Sequence, residues 1–188
     1  MREPGVPGTT PGDGLPRGGP QPVAVRGPLG GEGAAAERIL RALPAWFGIE
    51  EALVAYARAA DAGPTFVAEV AGAPEGDAAG ARRADTGAIV GFLTLHTTSD
   101  CAVELHVMAV LPGWRRHGVG RALVGAAAAH ARAKGFELFH VKTLAASDPD
   151  AGYAETRAFY LSQGFRPLEV LPQVWGPENP CLLLVRGL

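Results

Sequence analysis

The stretch spanning residues 108–123, MAVLPGWRRHGVGRAL, constrains this chain more than any other. An apolar run ends at Pro112. A cationic turn containing Gly118 and Gly120 then leads into an Ala-rich segment closed by Gly135. A strand feeding a helix through such a turn reads as the first half of a βαβ unit, whose two strands run parallel. The turn also has its own chemistry. The first amides of a helix lack carbonyl partners and carry partial positive charge. Gly118 and Gly120 let an anion approach the backbone, and Arg115, Arg116 and Arg121 add charge-assisted hydrogen bonds. A diphosphate is the expected guest. Other phosphate motifs fit less well. A dinucleotide fingerprint needs a third glycine where Leu123 stands, and a P-loop needs Lys-Ser/Thr after its second glycine.

The flanking segments extend the pattern. Residues 102–110 (AVELHVMAV) supply the strand before the turn, residues 119–134 the helix, and residues 137–144 (ELFHVKTL) the returning strand. Upstream, residues 34–43 (AAAERILRAL) read as a helix limited by Pro44. Residues 49–60 read as a second helix, with Leu53, Tyr56 and Ala57 on one face. Residues 65–70 (TFVAEV) and 88–97 (AIVGFLTLHT) read as strands, separated by a Gly- and Ala-rich loop that is long for a hairpin. Downstream come a helix over 153–163, stopped by Gly164, and strands over 165–171 and 181–186 around the loop PQVWGPENP. Short connections make the middle strands antiparallel. The expected fold is α+β: a mixed, mostly antiparallel sheet of six to seven strands flanked by helices.

Composition limits what such a chain can do. With 188 residues, 47% of them apolar, it can bury one core as one domain. A net charge of −2 without a basic block argues against nucleic acid or an anionic membrane surface as partner. No apolar run reaches the ~18 residues of a membrane span. The opening residues, MREPGVPGTTPGDG, lack the apolar stretch of a secretion signal, so a cytoplasmic protein is expected. Cys101 and Cys181 belong to no CxxC pair and are expected to be two buried free thiols. His96, His117 and His130 show no ligand grouping, so no metal is expected. Seventeen of the first 33 residues are Gly or Pro. Such a segment buries too little apolar surface to offset its ordering entropy. Residues 1–33 are therefore read as a flexible extension, with Pro22–Arg26 as a candidate edge strand, and residues 34–188 as the domain.

These motifs resemble those of the GNAT-type N-acetyltransferases. The acetyl-CoA loop of that family reads Arg/Gln-x-x-Gly-x-Gly/Ala after a strand ending in Val-x-Pro. Here Val110-Leu111-Pro112 is followed by Arg115-Arg116-His117-Gly118-Val119-Gly120. A second signature, a Tyr four residues before Gly-Phe, is present in FYLSQGF, with Tyr160 ahead of Gly164 and Phe165. The likeness covers about residues 34–188, and LPAWFGIEEA, ELHVMAVLP and VWGPENPCLLLV look like a bacterial branch of the family. It implies acetyl-CoA as cosubstrate, held by Met108, Val110, Arg115, Arg116, His117, Gly118, Val119, Gly120 and Arg121. Tyr153 joins that set at a position where many members carry Asn.

The implied reaction is attack of a primary amine on a thioester. An alkylammonium with a pKa near ~10.4 must first lose a proton. Strand alternation places Val103, Leu105, Val107 and Ala109 on one apolar face. Ala102, Glu104, His106, Met108 and Val110 fall on the other, expected to face the cleft. The resemblance makes Glu104 the base. The plainer alternative is a Glu solvated at the cleft rim, and His106 is either a rival base or part of the cleft wall. The resemblance makes Tyr160 the acid that protonates the leaving thiolate, against a helix Tyr that only packs its ring. Backbone amides of Met108 or Val110 are candidates for steadying the oxyanion. Trp46, Phe47, His106, His140 and Trp175 are weaker candidates for the acceptor pocket. The acceptor is a small-molecule or protein amine, and the C-terminal edge strand leaves a homodimer open. The alternative function is a non-catalytic acyl-CoA-binding sensor or interaction module.

Overall fold

Strands rich in β-branched and aromatic residues alternate with Ala-rich helices, and the fold follows from how these segments hide their apolar faces. The computed structural model describes residues 22–71, 87–147, 149–176 and 178–188. In chain order these form β1 (Val23–Leu29), α1 (Gly33–Arg41), α2 (Glu50–Ala62), β2 (Thr65–Val70), β3 (Ala88–Thr97) and β4 (Ala102–Val110). A 3₁₀ turn at Pro112–Trp114 leads into α3 (Val119–Ala133), β5 (Leu138–Leu144), α4 (Ala151–Ser162), β6 (Arg166–Leu171) and β7 (Cys181–Gly187). One seven-stranded sheet runs in the order β1-β2-β3-β4-β5-β7-β6. β4 and β5 pair in parallel across α3, while the other neighbouring pairs are antiparallel. The α+β mixed sheet expected from the sequence is therefore the fold observed.

β1 moves the start of the folded part. It pairs with β2 from Val23↔Val70 to Leu29↔Thr65, and Val23 and Val25 pack against the core. β1 thus stands ahead of residue 34, where the sequence offered Pro22–Arg26 as a candidate edge strand. A Gly/Pro-rich segment still gains backbone hydrogen bonds along a sheet edge and needs only a few valines to hold it there. Residues 1–21 of the extension and residues 72–86 of the β2–β3 loop lie outside the described residues.

The sheet has two buried faces. On one, Leu123, Val124, Ala127 and Ala131 of α3 and Tyr160 of α4 pack with Phe66, Leu93, Leu95, Phe139 and Val141. On the other, Ile39 and Leu40 of α1 and Leu53 and Ala60 of α2 pack with Val67, Phe92, Val107 and Ala109.

β4 does not keep the simple alternation read from its sequence. Its pairing with β3 runs Thr94↔Val107 and then Leu95↔Leu105, so His106 is an extra residue, a β-bulge. Val103 and Leu105 therefore join the α3-side core, whereas Val107 and Ala109 join the α1/α2 side. Met108 and Val110 pack on the α3 side, opposite to the face expected for them. One inserted residue reverses every side chain beyond it.

β4 also changes partners along its length. It pairs with β5 only over Ala102–Leu105. Beyond that, β4 stays with β3 as far as Val110, and β5 stays with β7 as far as Leu144. The two parallel strands part after Leu105 and open a gap in the sheet.

Gly91 of β3 ties this region to α3. A Cβ there would stand 3.1 Å from the Ala109 carbonyl, 3.1 Å from Val119 Cγ1 and 3.2 Å from Val110 Cγ2. Gly91→Val should lower stability by ~1–3 kcal/mol through overpacking, read as a lower urea midpoint with unchanged slope. An unchanged midpoint would show that α3 does not press on the sheet at this point.

Candidate active site

The turn between β4 and α3 holds Gly118 and leads to Gly120, and the two glycines do different jobs. Gly118 is the residue before α3 and has φ 82°, a left-handed conformation that suits glycine. The space around its missing Cβ is open. Gly120 is instead a packing residue: a Cβ would meet the Phe159 ring of α4 at 3.0 Å. No side chain caps the start of α3 and no acidic residue lies in its first turn, so its leading amides face outward among positive charges. Val119, only 1% exposed, fixes that end of the helix in the core. Arg116 is held at φ 65°, and His117 Nδ1 donates to the Arg115 carbonyl at 2.7 Å. Trp114 packs beside the turn, edge-on to His117.

Arg115 lies over the Trp46 ring, 4.3 Å from its centroid. Trp46 also touches the first turn of α4, where a Cβ on Gly152 would come within 2.7 Å of Cζ2. Arg115 follows the end of β4 and Gly152 follows the end of β5, so Trp46 reaches across the mouth of the gap between those strands. From there an aromatic series runs inward: Phe47 to Tyr56 (5.9 Å between centroids), Tyr56 to His106 (5.5 Å) and His106 to His96 (5.7 Å).

At the inner end of this series sits Glu104. It pairs in register with His96 on β3 and His140 on β5, one residue before the strands part. Lys142 Nζ donates to Glu104 Oε1 at 2.8 Å, and His106 Nδ1 stands 3.9 Å from Oε2. The Glu104 side chain is 8% exposed. Burial alone would raise its pKa, but His106 and Lys142 outweigh burial and hold the carboxyl at about 2. Burial chiefly lowers the His140 pKa. Its Nε2 meets Thr98 Oγ1 at 2.9 Å, and its Nδ1 is buried without a partner. Burial and the Glu104 charge raise the Tyr56 phenol.

Tyr160 lies in the other layer. It is buried in the α3-side core between Phe159 (5.4 Å) and Phe165 (5.8 Å), and burial pushes its phenol well above the usual range. Arg157 fastens α4 to the end of β5 by donating to the Leu144 and Ala145 carbonyls at 3.0 and 3.1 Å. Tyr153 sits in the first turn of α4, its amide donating to the Asp150 cap at 2.9 Å. Trp175 is 41% exposed on the loop after β6.

The sequence reading missed Lys142 as the partner of Glu104, and it missed the contact of Tyr56 with His106. The available signal was two ionisable residues, His140 and Lys142, alternating inside a largely apolar strand. Of the two cysteines, Cys181 is buried as expected, but Cys101 is exposed in the turn before β4. Among the described residues, no His/Cys/Asp/Glu group suited to a metal is found and no helix is long and apolar enough to cross a membrane.

The Glu104 carboxyl carries a pH signature. Its folded pKa of about 2 lies below an ordinary Glu, whose pKa is ~4.3 when unfolded. The stability it contributes should be full above that value and fade as pH falls toward about 2. The stability gap between the wild type and Glu104→Gln, read from urea midpoints, should therefore shrink between about pH 5 and pH 2.5. A gap that stays constant would mean that the carboxylate does not gain from Lys142.

Residues 61–167, more than half of the chain, match the family model for the "Acetyltransferase (GNAT) domain". None of the curated proteins matches the chain. Among solved structures, Ard1 from Thermoplasma volcanium is 19% identical, with a TM-score of 0.64 over 88% of this chain and 97% of that one. A GNAT family acetyltransferase from Elizabethkingia anophelis with acetyl-CoA bound is 16% identical, with a TM-score of 0.57 over 88% and 98% of the two chains. The ribosomal-protein-S18-alanine N-acetyltransferase from Escherichia coli is 16% identical, with a TM-score of 0.60 over 88% and 93%. These likenesses show the shared fold. The match over residues 61–167, on a sheet that opens between β4 and β5 beside an uncapped α3, makes the chain a member of the GNAT acetyltransferase family.

Proposed function

We propose that this acetyltransferase moves an acetyl group from acetyl-CoA to a primary amine by direct attack within one complex. The observation that carries this reading is the alignment of two features. An uncapped helix start flanked by arginines opens beside the point where β4 and β5 part, and Glu104 sits at that point. The diphosphate rests on the first amides of α3, with Arg115, Arg116 and Arg121 around it. The acyl arm enters the gap along the unpaired edge of β4, where backbone amides near Met108 and Val110 steady the thioester oxygen. Tyr153 borders this path from α4. The bound acetyl-CoA of the Elizabethkingia anophelis protein supports the cosubstrate.

The acceptor approaches from the α1/α2 side, past Trp46, Phe47 and His140, with Trp175 as an outlying contributor. The carboxylate of Glu104 supplies the negative charge of the basic centre, and Tyr160 supplies the proton for the departing thiolate. Burial keeps the Tyr160 phenol protonated at neutral pH, so its proton is in place when the thiolate departs. Both small-molecule and protein amines are open as acceptors, and the Escherichia coli protein named for the alanine of a ribosomal protein supports the second kind.

Calorimetry with CoA and thiol release from acetyl-CoA in the presence of a primary-amine panel test this reading together. Arg121→Glu should weaken CoA binding about tenfold or more, the loss of one charge-assisted hydrogen bond of ~1.5 kcal/mol plus repulsion. Tyr160→Phe should bind CoA normally and lower kcat by ~10²-fold, at the low end for a lost general acid. CoA binding without amine-dependent thiol release would favour a non-catalytic acyl-CoA-binding module. No CoA binding at all would remove the reading altogether.

A further inference from the structure

Glu104 is poorly placed to touch an acceptor itself. Its side chain is 8% exposed, and one of its two oxygens is already engaged by Lys142 at 2.8 Å. The other oxygen stands 3.9 Å from His106 Nδ1, within ion-pair range but beyond a direct hydrogen bond. The His106 side chain is 34% exposed. Its Nε2 makes no hydrogen bond among the described residues. The bulge at His106 brings Val107 round to the face that Glu104 and His106 share by strand alternation. Tyr56 and His96 pack their rings against the imidazole at 5.5 and 5.7 Å and limit its rotation.

We infer that His106 Nε2 is the atom that takes the acceptor's proton, with Glu104 and Lys142 as positioning residues behind it. The inference rests on the acyl-transfer reading above and deepens it. A carboxylate on Nδ1–H fixes the tautomer that leaves the Nε2 lone pair outward, the same logic that orients the imidazole in hydrolytic triads. Lys142 in turn fixes the carboxylate. A carboxyl held at about 2 is a weak base at neutral pH, which agrees with a supporting role.

The acceptor ammonium gives one proton to His106 Nε2, forming imidazolium. The neutral amine nitrogen attacks the thioester carbonyl carbon, a C–N bond forms and the C–S bond breaks. The CoA thiolate leaves with the electron pair and takes a proton from Tyr160, which recovers it from the nitrogen of the new amide. The imidazolium releases its proton to water. In sum, an ammonium and acetyl-CoA give an amide, CoA thiol and one proton.

The ionisable groups against the imidazole are Tyr56 from α2, His96 from β3 and Glu104 on β4, and Glu104 in turn meets Lys142 and pairs in register with His140 on β5. The test is the pH dependence of kcat with acetyl-CoA and a panel of butylamine, phenethylamine, alaninamide and a short alanine-headed peptide. His106→Gln should lose ~10²-fold or more in kcat, together with the acid limb of the profile. Its CoA affinity by calorimetry and its urea midpoint should stay near those of the wild type. Free imidazole should restore part of the activity to His106→Ala but none to Glu104→Ala. Glu104→Asp should recover more activity than Glu104→Gln. A His106→Gln variant with wild-type kcat and an intact acid limb overturns the inference, the more so if Glu104→Gln loses both. Absence of amine-dependent transfer by the wild type would instead sink the acyl-transfer reading, and the role of His106 with it.

Discussion

The separation of β4 from β5 after Leu105 is the constraint on which the rest of this molecule depends. Parallel strands share hydrogen bonds along their length, so each residue pair given up leaves backbone groups to be satisfied otherwise. Two firm partnerships offset that loss here. β3 holds β4 to its end, and β7 holds β5 to its end. The sheet behaves as two stiff halves joined along Ala102–Leu105. α1 and α2 cover one half, α4 fastens to the other through Arg157, and α3 spans from β1 to β4. The opening is a built feature, because each of its walls is stabilised independently of the other.

The electrostatics follow from that geometry. A buried carboxylate without a partner would cost several kcal/mol, and Glu104 sits where pairing ends. Lys142 comes from the far wall and His106 from the near one, so the ion pair joins the two halves at the point where backbone bonding stops. Charge thus continues across the sheet what hydrogen bonds began. The aromatic series from Phe47 to His106 and His96 shields the pair from bulk water and strengthens it.

Much of the fold was legible from spacing alone. Gly118 before an Ala-rich segment, and Gly164 and Gly135 behind their helices, mark turns whose backbone demands are local. The role of Gly120 was not legible, because its reason lies across space in Phe159. The faces of β4 were misread for a similar cause. Residues 102–110 alternate cleanly, and nothing within them says that β3 will skip a residue opposite His106. The tie of Lys142 to Glu104 has no local signal, since the two lie 38 positions apart on neighbouring strands. Val23 and Val25 were too few among glycines and prolines to mark a firm strand, and β2 supplies the missing half of the information.

The contact between Gly120 and Phe159 reaches beyond the turn it serves. α3 and α4 approach each other there so closely that the ring of one fills the space left by the bare backbone of the other. The two positions are tied by volume: a bulkier residue at 120 requires the ring at 159 to shift or shrink. The same ring lies against Tyr160 at 5.4 Å. A sequence drifting under selection for the same architecture would carry the turn before α3 and the helix α4 as one inherited unit, tied by volume before any chemistry is considered.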